Sequence, residues 1–115
     1  MRSASVASII LREDLERRWP GYVYEEHIFH ETRKFRFDFA VPIMKFGFEI
    51  NGGLFIKGKS GFGGAHSLPT NILRDMEKKN LANLDGWRIF EFTPQQVEKG
   101  EHMWILHELK KQEEK

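Results

Sequence analysis

The stretch Phe35-Arg36-Phe37-Asp38-Phe39-Ala40-Val41-Pro42-Ile43-Met44-Lys45-Phe46-Gly47-Phe48-Glu49-Ile50-Asn51-Gly52-Gly53 decides the fold. Phe35, Phe37, Phe39 and Val41 share one parity, and Arg36, Asp38 and Ala40 the other. After Pro42 the alternation resumes, with Phe46, Phe48 and Ile50 against Lys45, Gly47, Glu49 and Asn51. Period-two alternation of aromatic and β-branched residues marks a strand with one buried face. Two such runs around a short break predict an antiparallel hairpin. A two-residue loop at Ile43-Met44 sets Pro42 opposite Lys45. Ala40 then faces Gly47, Phe39 faces Phe48, Asp38 faces Glu49, Phe37 faces Ile50 and Arg36 faces Asn51. In this register the large apolar residues share one face and the two carboxylates share the other. A slip of one residue would put Asp38 against an apolar partner. Ile-Met is poor chemistry for a primed turn, so a longer loop with the same parity is the alternative.

Neighbouring carboxylates repel unless they share a proton or hold a cation. Carboxylates with room for water suit Mg²⁺, which also binds substrate phosphates. Gly47 beside the acids leaves space for the backbone of a ligand. Two unrelated acids on a solvated face are the alternative.

Working outward, the chain has 115 residues, enough for one domain and one core. The expectation is a single domain over 1–115. Ten Phe, three Trp and two Tyr supply that core, and the absence of cysteine excludes disulfides, zinc thiolates and a thiol nucleophile. No apolar run approaches the ~18 residues that span a bilayer, so no membrane partner is expected. The N-terminus lacks the design of a signal peptide, and a cytoplasmic protein is the expectation. A net charge of +1 gives no general support for nucleic-acid binding. Local charge says more: Arg33, Lys34 and Arg36 cluster before Asp38, and Lys57 and Lys59 follow the glycines.

Ser3 or Ser5 caps a first helix that runs to about Trp19 and stops at Pro20-Gly21. Leu11, Leu15 and Trp19 form its core stripe; Val6, Ile9 and Ile10 form a second, with Glu13 among them. A strand over about 25–30 leads into the hairpin strands, about 34–42 and 45–51. The glycine-rich segment from Gly52 to Thr70 starts right after the acid strand and can cover it. Its Lys57, Lys59 and glycine amides can touch phosphates, and its His66 reads as a loop residue before a metal ligand. Thr70 or Asn71 caps a second helix to about Asp85, ended by Gly86. Ile72, Leu73, Met76 and Leu84 are its expected apolar side, with Asn80 and Asn83 as core amides or pocket lining. Arg74 and Lys78, at i, i+4, suit an anionic backbone; a solvated basic face is the alternative. Residues 86–93 predict a fourth strand, joined by a parallel crossover, and a last helix covers about 100–113. The order is α-β-β-β-α-β-α: an α/β or α+β class with a mixed sheet.

This order, with an acid on the second strand and an acid-x-polar triplet on the third, resembles the PD-(D/E)XK nuclease superfamily, the restriction-endonuclease-like fold. More narrowly it resembles small phage and bacterial endonuclease-like proteins. The residues that carry the resemblance are Arg36-Phe37-Asp38-Phe39-Ala40, Glu49-Ile50-Asn51-Gly52-Gly53, His66, Arg74-Asp75-Met76-Glu77-Lys78-Lys79-Asn80, Gly86-Trp87-Arg88 and Phe92-Thr93. The resemblance implies a Mg²⁺-dependent (or Mn²⁺-dependent) endonuclease acting on DNA. In it Asp38, Glu49 and the Ile50 carbonyl would hold the metal. Asn51 stands where the superfamily usually has lysine and the narrower group aspartate, so Lys78 is the candidate replacement. Glu13 fits best as a third acid, with Glu16 and Glu26 as alternatives. Arg33, Lys34, Arg36, Lys57, Lys59 and Arg74 would hold DNA phosphates. Cutting both strands calls for two sites, which leaves a homodimer open. The alternative reading, motivated by Asn51, is a catalytically weakened nucleic-acid-binding module on the same fold; a structural or partner-binding domain is the third.

Overall fold

A computed structural model describes residues 5–51 and 70–113. Ser3, Lys57, Lys59 and His66 lie outside the described residues. The order is α1 (Val6–Arg18), β1 (Tyr24–His30), β2 (Phe35–Val41), a 3₁₀ turn (Pro42–Met44), β3 (Phe46–Ile50), α2 (Thr70–Leu84), β4 (Arg88–Phe92), α3 (Pro94–Glu98) and α4 (Met103–Glu113). This is an α+β fold with a four-stranded mixed sheet, ordered β1-β2-β3-β4. β1, β2 and β3 pair antiparallel, and β4 adds parallel to β3.

Local chemistry sets the boundaries. Ser5 caps α1, its side-chain oxygen accepting from the Ser8 N–H at 3.0 Å, and Gly21 (φ 85°) turns the chain after Trp19. Thr93 and Gln96 close a reciprocal capping box on α3. Thr70 and Asn71, the expected caps of α2, both fall inside the helix.

The hairpin register holds. Phe39 pairs with Phe48, Ala40 with Gly47 and Val41 with Phe46. The expected two-residue loop does not form. Pro42–Met44 makes a 3₁₀ turn, Lys45 adopts the left-handed conformation and its N–H donates to the Pro42 carbonyl at 3.0 Å. Proline at the first position and a left-handed closing residue make a longer turn compatible with Ile-Met.

The expected single apolar face is corrected. Phe39, Val41, Phe46, Phe48 and Phe92 pack with Leu11, Leu15 and Trp19 of α1, Val97 of α3, and Leu106 and Leu109 of α4. Phe37 instead joins Ala40, Ala82 of α2 and Trp87 on the opposite face. Phe35 goes the same way, with Arg74 of α2 across its ring. The alternation of β2 therefore changes phase at Asp38. Opposite that position, Glu26 of β1 is left-handed (φ 51°). The β1–β2 pairing passes from Glu25↔Phe39 to His27↔Phe37. With helices on both sides of the sheet, both faces need apolar cover, and one strand supplies it by changing phase. Gly47 makes this fit. A Cβ there would lie 2.8 Å from the Phe37 ring, so the missing side chain accommodates the protein's own phenylalanine and not a ligand.

Helix α2 also departs from expectation. Leu73, Met76 and Leu84 are exposed, at 52%, 48% and 84%, and Asn80 and Asn83 are exposed as well. The face turned to the sheet carries Asp75, Lys78, Lys79 and Ala82, spaced i, i+3, i+4 and i+7. This helix packs through ion pairs to the strands around one small apolar contact. On the other side of the sheet, Asp14 sits within the buried stripe of α1, with His102 Nε2 2.7 Å from its Oδ2. Arg17 donates to the same carboxylate, while His102 Nδ1 is buried with no partner among the described residues.

Gly47→Ala is expected to cost about 1–3 kcal/mol in urea unfolding, because the Phe37 ring, stacked on Phe29 at 4.4 Å, has nowhere to move. Adding Phe37→Leu should recover part of that loss. Equal stability of Gly47→Ala and the wild type would show that the ring is not wedged there.

Candidate functional site

On the α2 side of the sheet lies an open cleft of about 580 Å³, lined by Asp38, Glu49, Lys34, Arg36, Arg74 and Lys78 together with Glu26, Phe35, Asn71 and Asp75. The phase change brings its floor together. Asp38 and Glu49 come from adjacent strands and open into one space. Beyond the Phe39↔Phe48 pair the Asp38 carboxylate takes over from the ladder: its Oδ2 accepts the Ile50 N–H at 2.9 Å. Ile50 thus holds the Asp38 side chain through its N–H.

Glu49 is buried, and Lys78 of α2 donates to its Oε2. The Lys78 ammonium also lies 5.5 Å from the centre of the Phe37 ring, in reach of its negative face. Burial pushes the Glu49 carboxyl above its ordinary value; Lys78 opposes this, and Asp38 and Asp75 add to it. Asp75 is tied to Lys79 at 3.0 Å, and Lys79 reaches Glu91 of β4 at 2.7 Å. Desolvation works against the Lys79 ammonium, but its bonds to Glu91 and Asp75 outweigh this and raise its pKa.

The rim is basic. Arg74 is exposed, its guanidinium carbon 4.7 Å above the Phe35 ring, and among the described residues it makes no ion pair. Lys34, left-handed at the β1–β2 turn (φ 59°), is likewise exposed and unpaired among the described residues. Arg36 pairs with Glu26 at 3.2 Å. Arg33 stands outside the lining, bonded to Glu77 at 2.7 Å.

Three further expected participants stand elsewhere. Glu13 is exposed on α1, which packs on the opposite face of the sheet, so it does not enter the cleft. Neither does Glu16, which accepts from the Gly21 N–H. Of the three candidate glutamates, Glu26 lines the cleft. Asn51 donates its side-chain amide to Glu91 at 2.7 Å and is not part of the lining. An acid at position 51 would face Glu91 directly, which accounts locally for an amide. Asp75 and Asn71 were not singled out as site residues from sequence. Their signal was the spacing to Lys78 and Arg74, which places them on the same flank of α2.

Among the described residues, no group of three or more His, Asp or Glu side chains forms a cage for a metal. The donor set still fits one class of ion. Two carboxylates on one wall, each with an oxygen not engaged by a neighbour among the described residues, suit a hard cation that completes its shell with water and phosphate oxygens. They do not suit zinc, which takes four tight ligands. No helix among the described residues is long and apolar enough to cross a membrane.

No protein-family model, curated protein or solved structure matches this chain.

Carbon-13 NMR of the glutamate side chains should find Glu49 titrating above the ordinary value of 4.5. Between 4.5 and that raised midpoint the native state binds the extra proton. The Glu49 contribution to stability therefore falls as pH rises through the window. Lys78→Met removes the pull downward and should move the midpoint higher still. A midpoint at or below the ordinary value would contradict a desolvated Glu49.

Proposed function

We propose that this protein is a divalent-metal-dependent endonuclease that hydrolyses phosphodiester bonds in DNA. The observation that carries the reading is the convergence of Asp38 and Glu49 in one open cleft whose rim is cationic. Acids at the floor attract a divalent ion, and cations at the rim attract a polyanion. A phosphodiester satisfies both at once. The resemblance to the PD-(D/E)XK superfamily, with its restriction-endonuclease-like fold, supports the same activity.

Asp38 and Glu49 would hold Mg²⁺ or Mn²⁺. The bound ion supplies Lewis-acid polarisation of the phosphate. The chain's own groups do the rest. Arg74 and Lys34, free of acid partners among the described residues, draw in flanking phosphates without reading bases. Lys78, bonded to Glu49, would stabilise charge that builds on the phosphate oxygens. The Ile50 N–H fixes Asp38, so that its other oxygen keeps its direction.

A second reading has its own observation. Asn51 spends its amide on Glu91 and adds no charge to the floor, which favours a module that binds nucleic acid with little turnover.

A cleavage panel of linear, single-stranded and branched DNA with Mg²⁺ or Mn²⁺ separates the two. Asp38→Asn and Glu49→Gln should each lower cleavage by about a hundredfold or more, with unchanged circular dichroism. Arg74→Ala and Lys34→Ala should weaken DNA binding on all sequences and flatten its salt dependence. Salt-sensitive binding without metal-dependent cleavage would favour the binding module. Cleavage that persists in both acid variants would remove the metal reading.

A further inference from the structure

Lys78 and Glu49 form the most enclosed ion pair that faces the cleft, their side chains 14% and 8% exposed. Three carboxylates converge on this spot: Glu49 itself, Asp38 on the adjacent strand, and Asp75 one helical turn before Lys78. The ammonium thus occupies the field that would attract a divalent ion to Glu49. Two cations on one buried carboxylate repel strongly, because little water screens them. Lys78 also lines the same space as Lys34, Arg36 and Arg74. Its charge rides on a flexible four-carbon stem, which lets it turn from the floor of the cleft toward an anion at the rim.

From these contacts we infer that Lys78 is an internal counter-ion for Glu49, exchanged for the divalent ion when a phosphodiester enters the cleft. The phosphate draws the ammonium off the carboxylate, and the vacated oxygen becomes available to the metal. Metal and polyanion then bind with positive coupling, each raising the affinity for the other by the same factor. Without nucleic acid, Lys78 keeps the site closed to free metal. This inference rests on the metal-and-phosphate reading of the cleft.

The test is a Mn²⁺ titration of the full chain, followed by electron paramagnetic resonance of the free ion. It is run alone and with a short DNA duplex carrying non-hydrolysable linkages. The wild type should bind Mn²⁺ weakly alone and about tenfold or more tighter with the duplex. Lys78→Met and Lys78→Gln should bind Mn²⁺ about tenfold tighter than the wild type without DNA, and the duplex should add little. Both variants remove the ammonium that lies by the Phe37 ring and leave an uncharged side chain in its place, and circular dichroism checks the fold. If neither variant tightens Mn²⁺ binding, or if the duplex leaves the wild-type affinity unchanged, the exchange is overturned. Asp38→Asn and Glu49→Gln locate any failure. If Mn²⁺ binding survives both unchanged, the metal reading itself falls. If it is lost in both while the Lys78 variants match the wild type, only the exchange falls.

Discussion

The ring of Phe37 lies over the bare backbone of Gly47, and the rest of the arrangement depends on that contact. A sheet covered by helices on both sides needs apolar residues on both faces, and strict alternation gives a strand only one. By changing phase at Asp38, β2 sends Phe39 and Val41 toward α1, α3 and α4, and Phe35 and Phe37 toward α2. The place where the phase changes is where the acid sits. An interrupted ladder leaves a backbone N–H without a main-chain acceptor, and a carboxylate is the strongest acceptor available. Packing and chemistry therefore meet at one residue: the irregularity that completes the core also anchors the Asp38 side chain at the floor of the cleft.

Helix α2 solves a different problem. It contributes one buried alanine and meets the strands through Lys78, through Lys79 with Asp75 behind it, and through Arg74 over the Phe35 ring. Ion pairs of this kind are poor sources of stability, since desolvation offsets most of their attraction. They do fix orientation. The Lys79 bridge between Asp75 and Glu91, extended by the Asn51 amide, holds the helix over the end of the sheet. Lys78 and Arg74 then face the acids at a set angle. The chain has put charge where a purely structural helix would carry leucine.

How much of this the sequence disclosed follows from what each signal measures. Strand parity was legible, because a slip of one residue would put Asp38 against an apolar partner, and the shortest loop of that parity already set Ala40 opposite Gly47. The parallel fourth strand was legible from the intervening helix. The phase change was not, since Phe35-Arg36-Phe37-Asp38-Phe39 reads as perfect alternation and only the second layer of helices reveals the need to break it. Periodicity likewise misassigned α2. Leu73, Met76 and Leu84 trace a convincing apolar stripe, yet tertiary ion pairing turned the opposite flank inward. Asp38 and Glu49 were legible as neighbours from the hairpin parity, and Arg74 and Lys78 from their i, i+4 spacing; all four line the cleft. On α1 the sequence reading weighed Glu13 and Glu16 and passed over Asp14, although Asp14 stands three residues after Leu11 and so belongs to the buried stripe; it bonds His102 on the far side of the sheet.

The outermost strand carries one more implication. Among the described residues β1 lies at one margin of the sheet, and its hydrogen-bonding row is interrupted by the left-handed Glu26 and by a register shift between Ile28 and His30. Arg12 reaches across to Glu25 at the same margin. A neighbouring molecule seeking to extend the sheet would find a crooked, charged template with mismatched donors and acceptors. That margin is guarded against β-polymerisation, so copies of this chain that meet there have to do so through side chains and not through a continuous ladder.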